Sequence, residues 1–214
     1  MNLLDFVNLA EIAYTKNSDE MVKRVNSLVS SNAKTIPVYV EKTDTEAFVC
    51  RYNKSLVIGF SGTESIRDLW QDLKFHPVEY KGGKIHAGFK GVFNQIKEPL
   101  NDAINELFPI SYIEKIDVVG HSLGGAIAIG AIDLIKIPYI SASVTTFGCP
   151  KGWSRNLANK FESQYLIFNY RNFCDYVTYL LNFTHRPGYT FNIYGTPGHK
   201  ISKYRKAIEK GNYK

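Results

Sequence analysis

The chain has 214 residues, of which 44% are hydrophobic, 14% aromatic and 21% charged. This composition fits one globular domain, residues 1–214, and excludes disordered, collagen-like and coiled-coil proteins. The longest stretch without Lys, Arg, Asp or Glu, Val118 to Ile132, is shorter than the roughly 20 apolar residues that cross a bilayer. The N-terminal residues lack the charge order of a secretory signal, and three cysteines are too few for a disulfide framework. We therefore expect a cytoplasmic protein.

The net charge of +6 is unevenly distributed along the chain. Residues 1–150 carry 15 Lys and Arg against 17 Asp and Glu, a net −2, whereas residues 151–214 carry 11 against 3, a net +8. Such a basic segment serves nucleic acid, an anionic membrane surface or solubility alone. We favour solubility, because solvated charged faces are common.

Two amphipathic helices are predicted at the start of the chain. Apolar residues recur at helical spacing from Leu3 to Tyr14 and again from Met21 to Val29, and Ser18 is the expected N-cap of the second helix.

Short strands rich in β-branched and aromatic residues come next. They are predicted at 38–40, 47–52 and 56–60, with the last two forming a hairpin around Asn53. A long helix is then predicted from about Gly88 to Leu107, disturbed by an internal proline that cannot donate a backbone hydrogen bond.

The second half of the chain alternates strands and helices. A strand at 116–119 leads through a tight turn at 120–124 into a helix that extends to about Ile135, and buried-type strands follow at 143–147 and 165–170. Continuous apolar strands that alternate with helices predict a largely parallel sheet with helices on both faces.

The tight turn carries the pattern G-x-S-x-G. Gly120 and Gly124 lack side chains that would collide across the turn, and Ser122 stands at the N-terminus of the following helix, where negative charge is favoured. A strand, a sharp turn and a helix around this pattern are typical of a nucleophilic serine. The alternative is that Ser122 only caps the helix.

A nucleophilic serine needs a histidine base, and in the chain order serine, acid, histidine the base follows Ser122. His185 and His199 are the histidines in that part of the chain, and both lie in segments typical of loops. Spacing alone does not separate them.

Three acidic residues lie between Ser122 and the second histidine. Asp133 is eleven residues along the same helix, roughly 16 Å from the turn, which excludes it, and Glu162 lies in a polar stretch typical of a helix surface. Asp175 follows the strand at 165–170, in a loop at the end of the sheet where sites gather. We therefore prefer Asp175.

Five blocks of sequence, in order, resemble the class 3 lipases, a triacylglycerol lipase family best known from filamentous fungi. The blocks are F-S-G-T-E-S-I-R-D-L-W-Q-D-L at 60–73, H-A-G-F at 86–89, G-H-S-L-G-G at 120–125, T-F-G-C-P at 146–150 and the segment 172–177. The resemblance implies an α/β-hydrolase fold with a mostly parallel central sheet and helices on both faces. It also implies a serine ester hydrolase that uses no metal or cofactor.

The resemblance also assigns catalytic roles. It implies Ser122 as nucleophile, Asp175 as acid and His199 as base, because the family's base stands shortly before an aromatic residue, as His199 stands before Tyr204. His185 resembles instead a non-catalytic histidine of the family.

Two further features follow from the resemblance. The backbone N–H groups of Thr63 and Leu123 would form the oxyanion hole. An apolar helical stripe in the first block is a candidate lid over the site. The stripe consists of Ile66, Leu69, Trp70 and Leu73.

The expected activity is hydrolysis of carboxylic esters of lipids through an acyl-enzyme on Ser122. The alternatives are a phospholipase A1-type acyl hydrolase and a non-enzymatic protein that binds lipid or nucleic acid through its basic C-terminal segment. We expect a lipid or other ester as substrate and do not expect nucleic acid as a partner. If the basic residues after the base are exposed to solvent, they would also favour peripheral contact with an anionic membrane or lipid interface. These residues are Lys200, Lys203, Arg205 and Lys206. The sequence does not determine the oligomeric state.

Overall fold

The computed structural model describes five stretches of the chain. They are residues 1–63, 76–107, 113–135, 140–181 and 184–214. The four residues of the candidate lid, between 66 and 73, lie outside the described residues.

Nine strands lie within the described ranges: β1 Lys34–Val40, β2 Thr45–Tyr52, β3 Ser55–Phe60, β4 Pro77–Tyr80, β5 Gly83–His86, β6 Lys115–His121, β7 Ser141–Phe147, β8 Leu166–Asn172 and β9 Tyr189–Ile193. Seven of them form a sheet at the centre of the molecule, in the order β1-β2-β3-β6-β7-β8-β9. The first three strands of this sheet are antiparallel, and each later strand pairs in parallel with its neighbour. A separate antiparallel hairpin is formed by β4 and β5.

Helices cover both faces of the sheet, and each face has its own apolar core. Three helices contribute to the core on one face: α1 Leu3–Ile12, α2 Ser18–Val29 and α6 Ile201–Glu209. Three others contribute to the opposite face: α3 Ala87–Leu107, α4 Leu123–Ile132 and α5 Arg155–Gln164. Every residue of α4 is buried, so this helix is apolar on all sides. The predicted arrangement of a mostly parallel sheet between two helical layers is confirmed.

Several element boundaries differ from the sequence prediction. The N-cap of α2 is Asn17, whose side chain accepts a hydrogen bond from the backbone N–H of Glu20, so Ser18 is already the first helical residue. The helix after the tight turn ends at Ile132 rather than near Ile135. The long helix α3 continues through its internal proline, Pro99.

Four elements were not predicted: the strands β4, β5 and β9 and the helix α6. The strands contain only four or five residues each. The helix α6 carries an apolar stripe at helical spacing, so the sequence did contain a signal for it. The stripe consists of Ile201, Tyr204, Ala207 and Ile208. None of the helices within the described ranges has the length and apolarity needed to cross a membrane.

Candidate active site

The turn between β6 and α4 holds Ser122 in an unusual backbone conformation. Its φ of 60° and ψ of −128° lie in a region that costs a non-glycine residue about 1–3 kcal/mol. A Cβ on Gly120 would stand 2.7 Å from the backbone nitrogen of Gly125, and one on Gly124 would stand 2.6 Å from the carbonyl carbon of Ser61. Only glycine fits these two positions, so the G-x-S-x-G pattern is what allows the sharp turn.

Ser122 is fully buried at this turn. Its backbone N–H donates to the carbonyl oxygen of Phe147, 2.8 Å away, which ties the turn to the end of β7. Within the described part of the chain its Oγ has no hydrogen-bond partner. The backbone of Ser122 is therefore held in place, while its hydroxyl forms no hydrogen bond with the described residues.

Asp175 lies in the loop after β8 and is completely buried. Its Oδ1 accepts from the N–H of Val177, 3.0 Å away, which caps a short 3-10 turn at Tyr176–Tyr179. Its Oδ2 accepts from Tyr204 Oη at 2.5 Å and from His199 Nδ1 at 2.6 Å. Three donors thus compensate the buried carboxylate for its lost hydration.

His199 occupies the loop that leads from β9 into α6. The Asn172 side chain holds this loop by donating from Nδ2 to the carbonyl oxygens of Thr196 and Gly198, at 3.0 and 3.4 Å. Because His199 Nδ1 donates to a carboxylate, Nε2 of the neutral imidazole is unprotonated and able to accept a proton. Nε2 is buried and has no partner among the described residues.

His121 connects the serine turn to the His199 loop. The two histidine rings lie 4.7 Å apart between centroids. The Nε2 of His121 donates to the His199 carbonyl oxygen at 2.7 Å, since a carbonyl only accepts. Its Nδ1 therefore accepts from the Tyr14 hydroxyl, also at 2.7 Å. Burial, followed by the neighbouring His199, holds the pKa of His121 well below 6.5, so this side chain is neutral at pH 7.

A surface pocket of about 710 Å³ opens beside these residues. His199, His121 and Thr63 line it, together with Tyr176, which is 59% exposed. Leu123 begins α4 directly after Ser122, at the N-terminus where helical N–H groups have no partner inside the helix. Both predicted oxyanion donors, Thr63 and Leu123, thus stand at the site, and their role stays a prediction.

The rejected acids lie away from this arrangement. Asp133 pairs with Lys81 and accepts from the Tyr165 hydroxyl at 3.1 Å. Glu162 is on α5, as expected, and accepts from the backbone N–H of Gly188 at 2.8 Å. Each of these acids thus has a structural partner of its own, and neither contacts His199.

The other candidate base, His185, lies in a different environment. Its backbone forms a bridge with Trp153, and its side chain lines a second, basic pocket. The geometry therefore brings Asp175 to His199 and not to His185. In the described part of the chain, no three His, Cys, Asp or Glu side chains are grouped to hold a metal ion.

Three residues that support the site were not singled out from the sequence as site residues. Tyr14 and Asn172 contact partners 107 and 24 to 26 residues away, and no local pattern marks such pairs. Tyr204 had a signal, because it is the aromatic residue that follows the proposed base, but its hydroxyl contact with Asp175 was not predicted.

Comparisons with known proteins identify the family of this chain. Residues 57–184, more than half of the chain, match the family Lipase (class 3). A lipase from Rhizomucor miehei is 39% identical over 99 residues, which cover 44% of this chain and 27% of that protein. A lipase from Rhizopus niveus is 33% identical over 136 residues, covering 59% and 35%. The chain thus spans about a third or less of the length of these two relatives.

A solved structure also superimposes on most of the chain. The structure of lipase II from Rhizopus niveus matches with a TM-score of 0.76 and 26% sequence identity, covering 91% of this chain and 80% of that one. The expected α/β-hydrolase fold is therefore confirmed, and the chain belongs to the class 3 lipase family.

Proposed function

We propose that this protein hydrolyses carboxylic esters of lipids through an acyl-enzyme on Ser122. The observation that carries the proposal is the pair formed by His199 and Asp175, which leaves Nε2 of the imidazole ready to accept a proton. His121, the residue directly before Ser122, contacts both the ring and the carbonyl of His199 and so ties the base to the serine turn. The names of the two related proteins, both lipases, agree with this chemistry.

In the first half-reaction, Ser122 Oγ attacks the ester carbonyl carbon while His199 Nε2 takes the hydroxyl proton. The carbonyl electrons move onto oxygen, where the N–H groups of Leu123 and Thr63 would stabilise the negative charge. One such donor contributes about 3 kcal/mol to transition-state stabilisation. The tetrahedral intermediate collapses, the alkoxide leaves with the proton from His199, and an acyl-serine remains.

In the second half-reaction, water attacks the acyl carbon and His199 Nε2 accepts its proton. Collapse of the new tetrahedral intermediate returns that proton to Ser122 Oγ and releases the carboxylic acid. His199 Nδ1–H donates a hydrogen bond to Asp175 Oδ2 throughout, so the carboxylate holds the ring orientation and stabilises the imidazolium form.

A fluorophosphonate probe tests the nucleophile. We expect labelling of the wild type and complete loss of labelling in Ser122→Ala. Ser154→Ala is the matched control, because Ser154 lies before α5 and binds the backbone of Lys84 outside the site. Labelling of Ser122→Ala at the wild-type rate would contradict the proposal.

The base is tested in the same way. His199→Gln is expected to reduce the labelling rate by at least a hundredfold, because general-base catalysis contributes about 10²–10⁴ to such reactions. The exposed His76 provides the control variant His76→Gln, which is expected to label normally. Equal labelling rates in the two variants would remove His199 from the mechanism.

The substrate class is tested with a panel of triacylglycerols, phospholipids and short soluble esters. We expect the emulsified lipid esters to be hydrolysed faster than the short esters. Hydrolysis confined to the sn-1 acyl group of phospholipids would identify a phospholipase A1 instead. Labelling with the probe but hydrolysis of short esters only would reject a lipid substrate.

We also propose that the rim of the pocket contacts an anionic lipid interface. The exposed aromatic side chains Phe173 and Tyr176 flank Asp175, and Lys200 lines the pocket beside the base. Aromatic rings and lysines are the side chains that favour a charged lipid surface. Binding to vesicles of phosphatidylcholine and phosphatidylglycerol should weaken with rising salt, and salt-independent binding would contradict this assignment.

A further inference from the structure

A second pocket, of about 390 Å³, is lined entirely by basic and hydroxyl side chains. Its lining residues are Lys151, Arg171, Thr184, His185, Arg186 and Thr190. They come from the loop after β7, from β8 and β9, and from the segment that connects β8 to β9. The proposed hydrolysis does not use any of them.

The pocket concentrates positive charge, and the nearby carboxylate of Asp175 attracts Arg186 without forming an ion pair with it. Within the described ranges, Arg171 and Arg186 form no ion pair with any Asp or Glu. Burial lowers the pKa of Lys151, and the adjacent Arg186 and Arg171 lower it further. Cations held this close repel one another, so an anion that binds between the two arginines would stabilise the pocket.

Arg186 in particular has donors to spare. Its guanidinium is buried, and the one hydrogen bond that it forms within the described part of the chain goes from Nη1 to the carbonyl of Cys149. The Nε–H of Arg186 is buried and has no partner there, and the same holds for Nδ1 of His185. Because arginine carries five N–H donors in a planar fork, the unused ones suit an oxyanion.

The walls of the pocket are fixed before any ligand arrives. Arg171 donates from Nε and Nη2 to the side-chain oxygen of Asn192 on the adjacent strand, at 3.2 and 2.8 Å, and its guanidinium stands 5.0 Å from the ring centre of Tyr179. The backbone of His185 is paired with that of Trp153, with N–O distances of 2.7 and 3.1 Å. Preorganised donors lose little conformational entropy on binding.

We propose that this basic pocket binds a phosphate group. Two arginines, a lysine, an imidazole and two hydroxyls offer more donors and more charge than a singly charged carboxylate uses. They match the four oxygens and the double charge of phosphate. The phosphate group belongs either to a soluble phosphate or to a phospholipid headgroup. In either case the pocket explains part of the +8 charge of residues 151–214.

Titration calorimetry with inorganic phosphate tests the proposal. The double variant Lys151→Gln, Arg171→Gln is expected to weaken binding at least tenfold, because hydrogen bonds to charged groups are among the strong ones. The charge-matched control is Lys23→Gln, Lys97→Gln, two exposed lysines on α2 and α3, and it should change affinity less than twofold.

A neutral variant protects the test against misfolding of the double variant. Thr190→Val removes an exposed hydroxyl from the pocket without changing the charge, and it is expected to weaken phosphate binding about threefold. Unchanged melting temperatures verify that the variants are folded. No saturable binding to the wild type, equal losses in pocket and control variants, or acetate binding as tightly as phosphate would each overturn the proposal.

Cosedimentation with vesicles of equimolar phosphatidylcholine and phosphatidic acid identifies the source of the phosphate. If the pocket variants lose vesicle binding that the control keeps, the ligand is a lipid headgroup. If they lose inorganic phosphate but keep vesicle binding, the ligand is a soluble phosphate. Both results support a phosphate site.

Discussion

Removing the hydroxyl of Tyr204 tests whether its hydrogen bond positions Asp175, the proposed catalytic acid. Tyr204 is fully buried, and its Oη donates to Asp175 Oδ2 at 2.5 Å and accepts from the backbone N–H of Asn172 at 3.1 Å. Burial and the adjacent Asp175 raise the pKa of Tyr204 well above 10, so the hydroxyl keeps its proton and acts as the donor.

The expected size of the effect follows from these two bonds. A hydrogen bond to a charged group contributes about 1.5–3 kcal/mol, and a buried N–H left without a partner costs about 1–3 kcal/mol. Tyr204→Phe should therefore lower the free energy of unfolding by about 2.5–6 kcal/mol. Because Asp175 loses one of its three donors but keeps His199, we expect kcat to fall roughly tenfold with little change in KM.

Tyr165→Phe is the matched control for this experiment. It also removes a phenol donor from a carboxylate, that of Asp133, at 3.1 Å and away from the proposed site. Urea unfolding and ester hydrolysis are measured for both variants well below their melting temperatures. Tyr165→Phe should lose stability without losing activity. If Tyr204→Phe loses less than 0.5 kcal/mol (about a third of the smallest expected bond), or if both variants lose activity equally, the positioning role is wrong.

Three further predictions concern the serine turn and its supports. Gly124→Ala should lower the free energy of unfolding by about 2 kcal/mol or more, because the added Cβ would overlap backbone atoms. Gly91→Ala on α3 should raise the free energy of unfolding by about 0.5–1 kcal/mol, because a Cβ there meets nothing within 4 Å. Thermal unfolding measures both changes. Tyr14→Phe should reduce kcat several-fold by releasing His121, whereas Tyr194→Phe, at a half-exposed ring, should leave kcat unchanged. The pKa of His121 is lower in the folded protein than in the unfolded chain, so below about pH 6.5 the unfolded chain binds a proton at this residue that the folded protein does not. The free energy of unfolding should therefore fall with falling pH, by up to about 1.4 kcal/mol per pH unit. Urea unfolding of His121→Gln should show a shallower decline, and an unchanged slope would refute the assignment.

The parts of the site that were predicted from sequence are those set by short stretches of chain. The turn around Ser122 was predicted because its glycines, its strand and its helix occupy fewer than twenty consecutive residues. Asp175 was preferred for a similar reason, since it follows a strand whose carboxyl end lies at the edge of a parallel sheet where sites gather. Local sterics and sheet geometry are sufficient for both.

Contacts between distant segments were not predictable in this way. The hydrogen bond from Tyr14 to His121 joins the end of α1 to the middle of the chain, and it depends on how one helix packs on the sheet. The spacing of His185 and of His199 from Asp175 is compatible with a loop in either case, so the family resemblance, and not local sequence, selected His199. Only the packed fold shows that the Asn172 side chain draws the His199 loop toward Asp175.

The net charge of +8 on residues 151–214 is distributed over separate places in the structure. This charge does not form one uniform face, because Lys200 lies at the rim of the proposed active site while Arg171 and Arg186 line a separate pocket. An exposed lysine remains hydrated and acts at long range, whereas a buried guanidinium such as that of Arg186 needs a partner of its own. The two groups should therefore respond differently to salt. Added salt should weaken attraction of the rim to an anionic surface, while phosphate binding that uses the buried Nε–H of Arg186 should change less.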